Sequence, residues 1–230
     1  MKRETLRRAF LDTVPVMTGY VFLGFGFGIL MYQSGYGAGW SFAMSLLIYA
    51  GSMQYVAVGL LTGGASLLTT ALTTLVVNAR HLFYGISMVD AYKGLGKKKA
   101  YMIFTLTDET FSLVSREQLP EGVDRHSYCF LVSLFDHVWW ISGTVLGALA
   151  GSLIPMNYEG IEFVLTALFV TIFVEQWLST KDHVPALVGL GSTAACLLVF
   201  GKDLFLIPSM IIIALTLSFL SMKEGCAGRE

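Results

Sequence analysis

Strongly polar and ionisable side chains interrupt the long apolar runs of this sequence in four clusters. Asn78-Ala79-Arg80-His81 lies about halfway along a run that starts at Leu67. Thr107-Asp108-Glu109 is the second cluster, and Asp136-His137, followed by Trp139 and Trp140, is the third. Glu175-Gln176 is the fourth, with Gln54 at the matching place in an earlier run. An ionisable residue at mid-membrane carries a penalty of at least about 2.5–3.5 kcal/mol on insertion scales, so each is by default a candidate functional residue. Arg80 is too deep to snorkel to either end of its run and needs a carboxylate, a cavity or a ligand. Asp108 and Glu109 can pair with it or bind a cation. Asp108, Glu109, Asp136 and His137 are the candidates for moving protons, histidine because it titrates near working pH without help.

This set suits a zwitterion. Arg80, or the N-terminus of a broken helix, offers a place for a carboxylate, and Asp108 offers one for an ammonium. The Gly51-Ser52 pair just before Gln54 marks an expected break. The candidate substrate contacts are therefore Asn78, Arg80, His81, Gln54, Ser52 and Asp108. Plainer readings stand beside these. Arg80 with Asp108 or Glu109 also reads as a structural ion pair that fixes helix register. His137 also reads as a satisfied structural histidine, Glu162 and Glu175 as solvated helix-end residues, and Trp139 and Trp140 as packing.

The elements that must position these residues follow from composition. Of 230 residues, 55% are hydrophobic and only 13% charged, against about 45–50% and about 25% in soluble domains. The mean hydropathy is +0.67. Disorder, nucleic-acid binding and ordinary cytosolic enzymology are excluded, and a polytopic membrane protein remains. Apolar runs fall at 14–33, 40–61, 67–89, 101–114, 127–154, 161–178, 184–200 and 204–220. The expected fold is an all-α transmembrane bundle of seven or eight segments, because a barrel would need alternating polar residues. The fourth run is short and carries Asp108 and Glu109, so it is expected to be broken or re-entrant. One integral membrane domain covers 1–230, with 1–13 as a cytoplasmic amphipathic start, retained and not cleaved, and 221–230 as a polar tail.

Topology carries a conflict. Lys2, Arg3, Arg7 and Arg8 place the N-terminus inside, and Lys93, Lys97, Lys98 and Lys99 ask for the same side after three runs. Either that loop breaks the rule or one of the three runs does not cross. Gly143, Gly147 and Gly151 line one helix face, and Gly24 and Gly28 do so on the first helix. Such faces let backbones approach closely, and the first is expected to receive a membrane partner, with internal packing as the alternative. A faint repeat pairs Gly39, Phe42, Ser45 and Gln54 with Gly160, Phe163, Thr166 and Glu175 at a shift of 121. Cys129, Cys196 and Cys226 form no readable disulfide or zinc pattern, and no cofactor is expected. Ser52 and Ser66 follow glycine-containing stretches, yet no triad accompanies them, so an intramembrane hydrolase is not supported.

The stretches IYAGSMQYVAVGLL, LTTLVVNARHLFYGIS, LTDETFSL and WWISGTVLGALAGSLIP resemble the AzlC family, the large subunit of branched-chain amino-acid exporters. Its N-x-R-H-x-x-Y-G pattern appears as Asn78, Arg80, His81, Tyr84 and Gly85, and its T-D-E pattern as Thr107, Asp108 and Glu109. The resemblance is nearly collinear over about residues 10–220. It implies secondary export of neutral aliphatic amino acids across a prokaryotic plasma membrane, a small AzlD-type membrane partner and about seven spans. No Walker motif supports ATP use. The rival reading is an accessory or structural membrane subunit without transport of its own.

Overall fold

The computed structural model describes residues 3–78, 81, 84–86, 88–89, 91–96, 98–115, 119–153, 163–180 and 182–227. Arg80, Lys97, Gly160 and Glu162 lie outside the described residues, as do the side chains of Glu175 and Gln176. Among the described residues the secondary structure is helical throughout. The chain divides into two compact units, Met1–Leu165 and Thr166–Glu230.

Two long helices organise the first unit. α1 (Arg3–Gln33) takes in the basic start as well as the first apolar run. The next helices are α2 (Ala38–Leu47), α3 (Gly51–Thr62) and α4 (Leu67–Val77), then α5 (Lys98–Phe104) and α6 (Asp108–Val114). α7 (Arg125–Leu153) is the second long helix. Asp124 caps it, its carboxylate accepting from the Ser127 N–H at 2.8 Å. α1 and α7 run parallel in register. The Asp124 N–H donates to Thr5 Oγ1 at 3.2 Å and the Tyr128 hydroxyl to Asp12 at 2.8 Å. Further along, Gly24 faces Trp140, Gly143 and Thr144, Gly28 faces Gly147 and Ala148, and Gly151 meets the Tyr32 ring. With both helices spanning, this direction requires an odd number of crossings between them.

The glycine face of α7 is thus taken by α1 of the same chain. A Cβ on Gly143 would fall 2.8 Å from both Cα and O of Val21. The expectation of a partner at Gly143, Gly147 and Gly151 gives way to internal packing, for a physical reason. Two parallel helices meet here backbone to backbone, and no room is left for a third.

Three apolar runs are not single helices. The second divides into α2 and α3 around residues 48–50, where Tyr49 adopts φ 45°. The break comes before Gly51-Ser52, which begin α3 instead of interrupting it. In the third run α4 ends at Val77 with Asn78 as its C-cap, its start capped by Ser66 through the Thr69 N–H, and residues 81 and 84–86 are helical again. The fourth divides into α5 and α6 at residues 105–107, as its acidic pair suggested. Thr107 caps α6, its hydroxyl accepting from the Thr110 N–H at 3.3 Å. Among the described residues, three helices, Arg3–Gln33, Arg125–Leu153 and Val184–Gly201, are long and apolar enough to cross a membrane alone.

The second unit holds most of α8 (Phe163–Ser179), then α9 (Val184–Leu204) and α10 (Leu206–Ala227). α9 kinks at Gly201, whose φ of 72° favours glycine. Trp177 stacks on His183 at 4.0 Å beside a cleft of about 600 Å³ between α8 and α9.

Candidate functional site

The two breaks come together against one stretch of α7, residues 136–144, and against Tyr20 of α1. Asp136 is 0% exposed, and its Oδ2 accepts from the Thr110 hydroxyl of α6 at 2.7 Å. Its Oδ1 has no hydrogen-bond partner among the described residues. Thr107 donates to Thr110 at 3.0 Å and lies 2.6 Å from the Tyr20 hydroxyl, which donates to Glu109 Oε2 at 2.7 Å. Oxygen atoms therefore run without interruption from exposed Glu109 to buried Asp136.

His137 faces the first break. Its Nε2 is 3.1 Å from the carbonyl oxygen of Ser45, which can only accept, so Nε2 carries hydrogen. In the neutral ring Nδ1 then accepts from the Tyr101 hydroxyl at 3.0 Å. The Ser45 carbonyl has need of this donor. In an unbroken helix it would accept from the Tyr49 N–H, but that group bonds to the Met44 oxygen, as the Ile48 N–H does. His137 thus closes the end of α2 and ties it to α5. The ring of Tyr49 lies 4.4 Å from that of His137, and its buried hydroxyl faces that of Tyr20. The satisfied structural histidine weighed from sequence matches this geometry.

Gln54, at 0% exposure, sits in a second knot. Its Oε1 accepts from Trp140 Nε1 at 2.9 Å, and its Nε2 donates to Ser45 Oγ at 3.3 Å. Ser45 Oγ is 2.8 Å from Thr144 Oγ1. Trp140 also packs edge-on to Tyr20 at 5.6 Å and covers Gly51, where a Cβ would meet its ring at 3.2 Å. Ser52 is buried at the start of α3.

Of the N-x-R-H-x-x-Y-G pattern, Asn78, His81, Tyr84 and Gly85 are described, and all four are partly buried. His81 Nδ1 lies 3.2 Å from the Asn78 oxygen, and Tyr84 stacks on Phe111 of α6 at 4.8 Å. That stack sets Tyr84 beside the helix that Asp108 opens, with Asp108 half-buried. Glu109, Asp136 and His137 are brought together, as are Gln54 and Ser52 nearby. Tyr20, Tyr49, Tyr101 and Thr110 were missed. A single hydroxyl in an apolar run has no spacing to announce it, although Tyr20 falls on the face of α1 that carries Gly24. Among the described residues no group of three metal-ligating side chains occurs.

Comparison with known proteins gives the lineage. The family model described as AzlC protein matches residues 15–154. The branched-chain amino acid transport protein AzlC of Bacillus subtilis is 46% identical over 207 residues, covering 90% of this chain and 82% of that protein. An uncharacterized membrane protein of Haemophilus influenzae is 44% identical, covering 94% and 88%. The inner membrane protein YgaZ of Escherichia coli is 31% identical, covering 87% and 82%. No solved structure matches. Relatives named as membrane proteins and apolar helices of this kind make it a multi-pass prokaryotic membrane protein. The extent and level of these matches, over a core in which two broken helices meet α7, establish that the chain belongs to the AzlC family.

Proposed function

We propose that this protein exports branched-chain or other neutral aliphatic amino acids by proton-coupled secondary transport, together with a small AzlD-type membrane subunit. The observation that carries the reading is the convergence of two broken helices on the adjacent pair Asp136 and His137, inside a chain 46% identical to a named branched-chain amino acid transport protein. Broken helices put backbone dipole ends and polar side chains at membrane depth, where a zwitterion and a coupling ion can be held. In this reading Arg80 anchors the substrate carboxylate and Asp108 faces its ammonium, with Asn78, His81, Ser52 and Gln54 around them. Asp108, Glu109, Asp136 and His137 form the proton-coupling set, and the chains on Glu109 and Asp136 favour those two. The small subunit docks away from the α1–α7 joint.

The test is counterflow of radiolabelled valine in liposomes, with and without the small subunit, at several pH values and with a protonophore. Accumulation that needs both chains and collapses with the proton gradient is expected. Flux that ignores both pH and the protonophore overturns the coupling. No valine flux in any combination leaves the accessory-subunit reading in its place.

A further inference from the structure

The chain of oxygens between Glu109 and Asp136 is short of one hydrogen. It has four links: Glu109 to Tyr20 at 2.7 Å, Tyr20 to Thr107 at 2.6 Å, Thr107 to Thr110 at 3.0 Å, and Thr110 to Asp136 at 2.7 Å. Each is at hydrogen-bond distance and needs a hydrogen between its oxygens. Three hydroxyls supply three. With both carboxylates ionised, Tyr20 donates to Glu109 and Thr110 to Asp136. Thr107 then donates to Thr110, and two oxygens 2.6 Å apart at the Tyr20–Thr107 contact face each other with nothing between them. One added proton on either carboxyl fills all four links.

We propose that Glu109 and Asp136 share one proton, relayed through Tyr20, Thr107 and Thr110. The transfer is a reversal of the chain. The Glu109 O–H bond breaks as its hydrogen passes to the Tyr20 oxygen, and the hydrogen of Tyr20 passes to Thr107. That of Thr107 passes to Thr110, and that of Thr110 to Asp136 Oδ2. Every hydroxyl ends neutral, and the negative charge has moved from Asp136 to Glu109. Thr107 suits a relay, since its oxygen also accepts the Thr110 N–H and is held in place by it. Tyr20 is fixed by the edge of Trp140. The groups facing Asp136 among the described residues are Tyr20 from α1, Tyr49 from the first break, Glu109 and Thr110 from α6, and its neighbour His137. His137 is turned instead toward Ser45 and Tyr101, so the relay bypasses it.

This deepens the proton-coupling reading and rests on it only for what the proton drives. The test is pH-difference infrared spectroscopy of carboxyl groups in the full-length chain in lipid, with folding verified by circular dichroism. Wild type is expected to show one carboxyl signal that is lost in both Asp136→Asn and Glu109→Gln. Tyr20→Phe keeps the ring and removes only the linking oxygen, so it is expected to split that signal into two independent titrations. Thr107→Ser keeps the hydroxyl and the shared signal, while Thr107→Val behaves as Tyr20→Phe. A carboxyl signal in Tyr20→Phe and Thr107→Val identical to wild type overturns the relay. A shared signal with valine flux indifferent to pH leaves the relay standing and overturns the coupling. pH-driven flux without any shared signal does the reverse.

Discussion

The sharpest check on this architecture is Gly147→Ala at the joint between the two long helices. A Cβ there falls 2.7 Å from both Cα and the carbonyl carbon of Phe25. Carbon atoms in contact settle at about 3.5–4.0 Å, so the backbones must part by about 1 Å. The obstacle is backbone, which cannot swing aside as a side-chain tip does. Overpacking of this kind costs about 1–3 kcal/mol, and a joint closed along its length puts Gly147 at the upper end. Alanine returns about 1 kcal/mol through helix propensity. The net expectation is destabilisation by about 2 kcal/mol, within the range that shifts the folded-to-unfolded ratio by 5–30-fold. Gly19, on α1, has nothing within 4 Å of its Cβ position. Gly19→Ala is therefore the control, neutral or up to about 1 kcal/mol stabilising. Unfolding in mixed micelles, followed by circular dichroism, measures both. Equal midpoints for wild type and Gly147→Ala would refute the close joint. So would a stable Gly147→Ala chain that has lost its small subunit, which returns this face to a partner.

Gly28→Ala with Gly147→Ala is expected to destabilise by less than the sum of the two, because one separation of the helices relieves both clashes; a double-mutant cycle reads it. His137→Ala strips the Ser45 carbonyl of its donor and is expected to destabilise by about 1–3 kcal/mol in the same unfolding assay. Trp140→Phe leaves the Gln54 oxygen without its indole donor, for a loss of similar size, about 1–3 kcal/mol, that shrinks when Gln54→Leu is combined with it. For transport, Arg80→Lys keeps the charge but loses the planar fork and is expected to carry valine poorly, and wild-type flux in a folded Arg80→Ala sample removes its central role.

The polar clusters are legible in the sequence because charge inside an apolar run is costly and therefore conspicuous. Asp136, His137 and the T-D-E stretch are legible that way, as is the broken fourth run, and Gln54 is legible as a polar amide in an apolar run. Glycine marks the first break a few residues late, because the turn is made by Tyr49 in a left-handed conformation. Glycine spacing announced close backbone approach but could not say to which helix. That depends on α1 and α7 lying parallel, a fact carried by contacts such as Thr5 with Asp124. Neutral hydroxyls were least legible of all. Tyr20 and Thr110 cost little in a span by themselves, and only their neighbours turn them into links.

The joint between α1 and α7 also divides the site into a stator and moving parts. Helices locked backbone to backbone cannot slide by a residue without collision, so Tyr20, Asp136, His137 and Trp140 form one fixed frame. The groups that meet them, Ser45, Gln54, Thr107, Glu109 and Thr110, belong to the half-length helices and their breaks. Any rearrangement that exposes this core to alternate sides must therefore part hydrogen bonds at that seam: Thr110 from Asp136, Glu109 from Tyr20, Gln54 from Trp140. On the proposed relay, conduction of a proton along the seam and opening of the seam are mutually exclusive events, because the same hydrogen bonds serve the one and must break for the other.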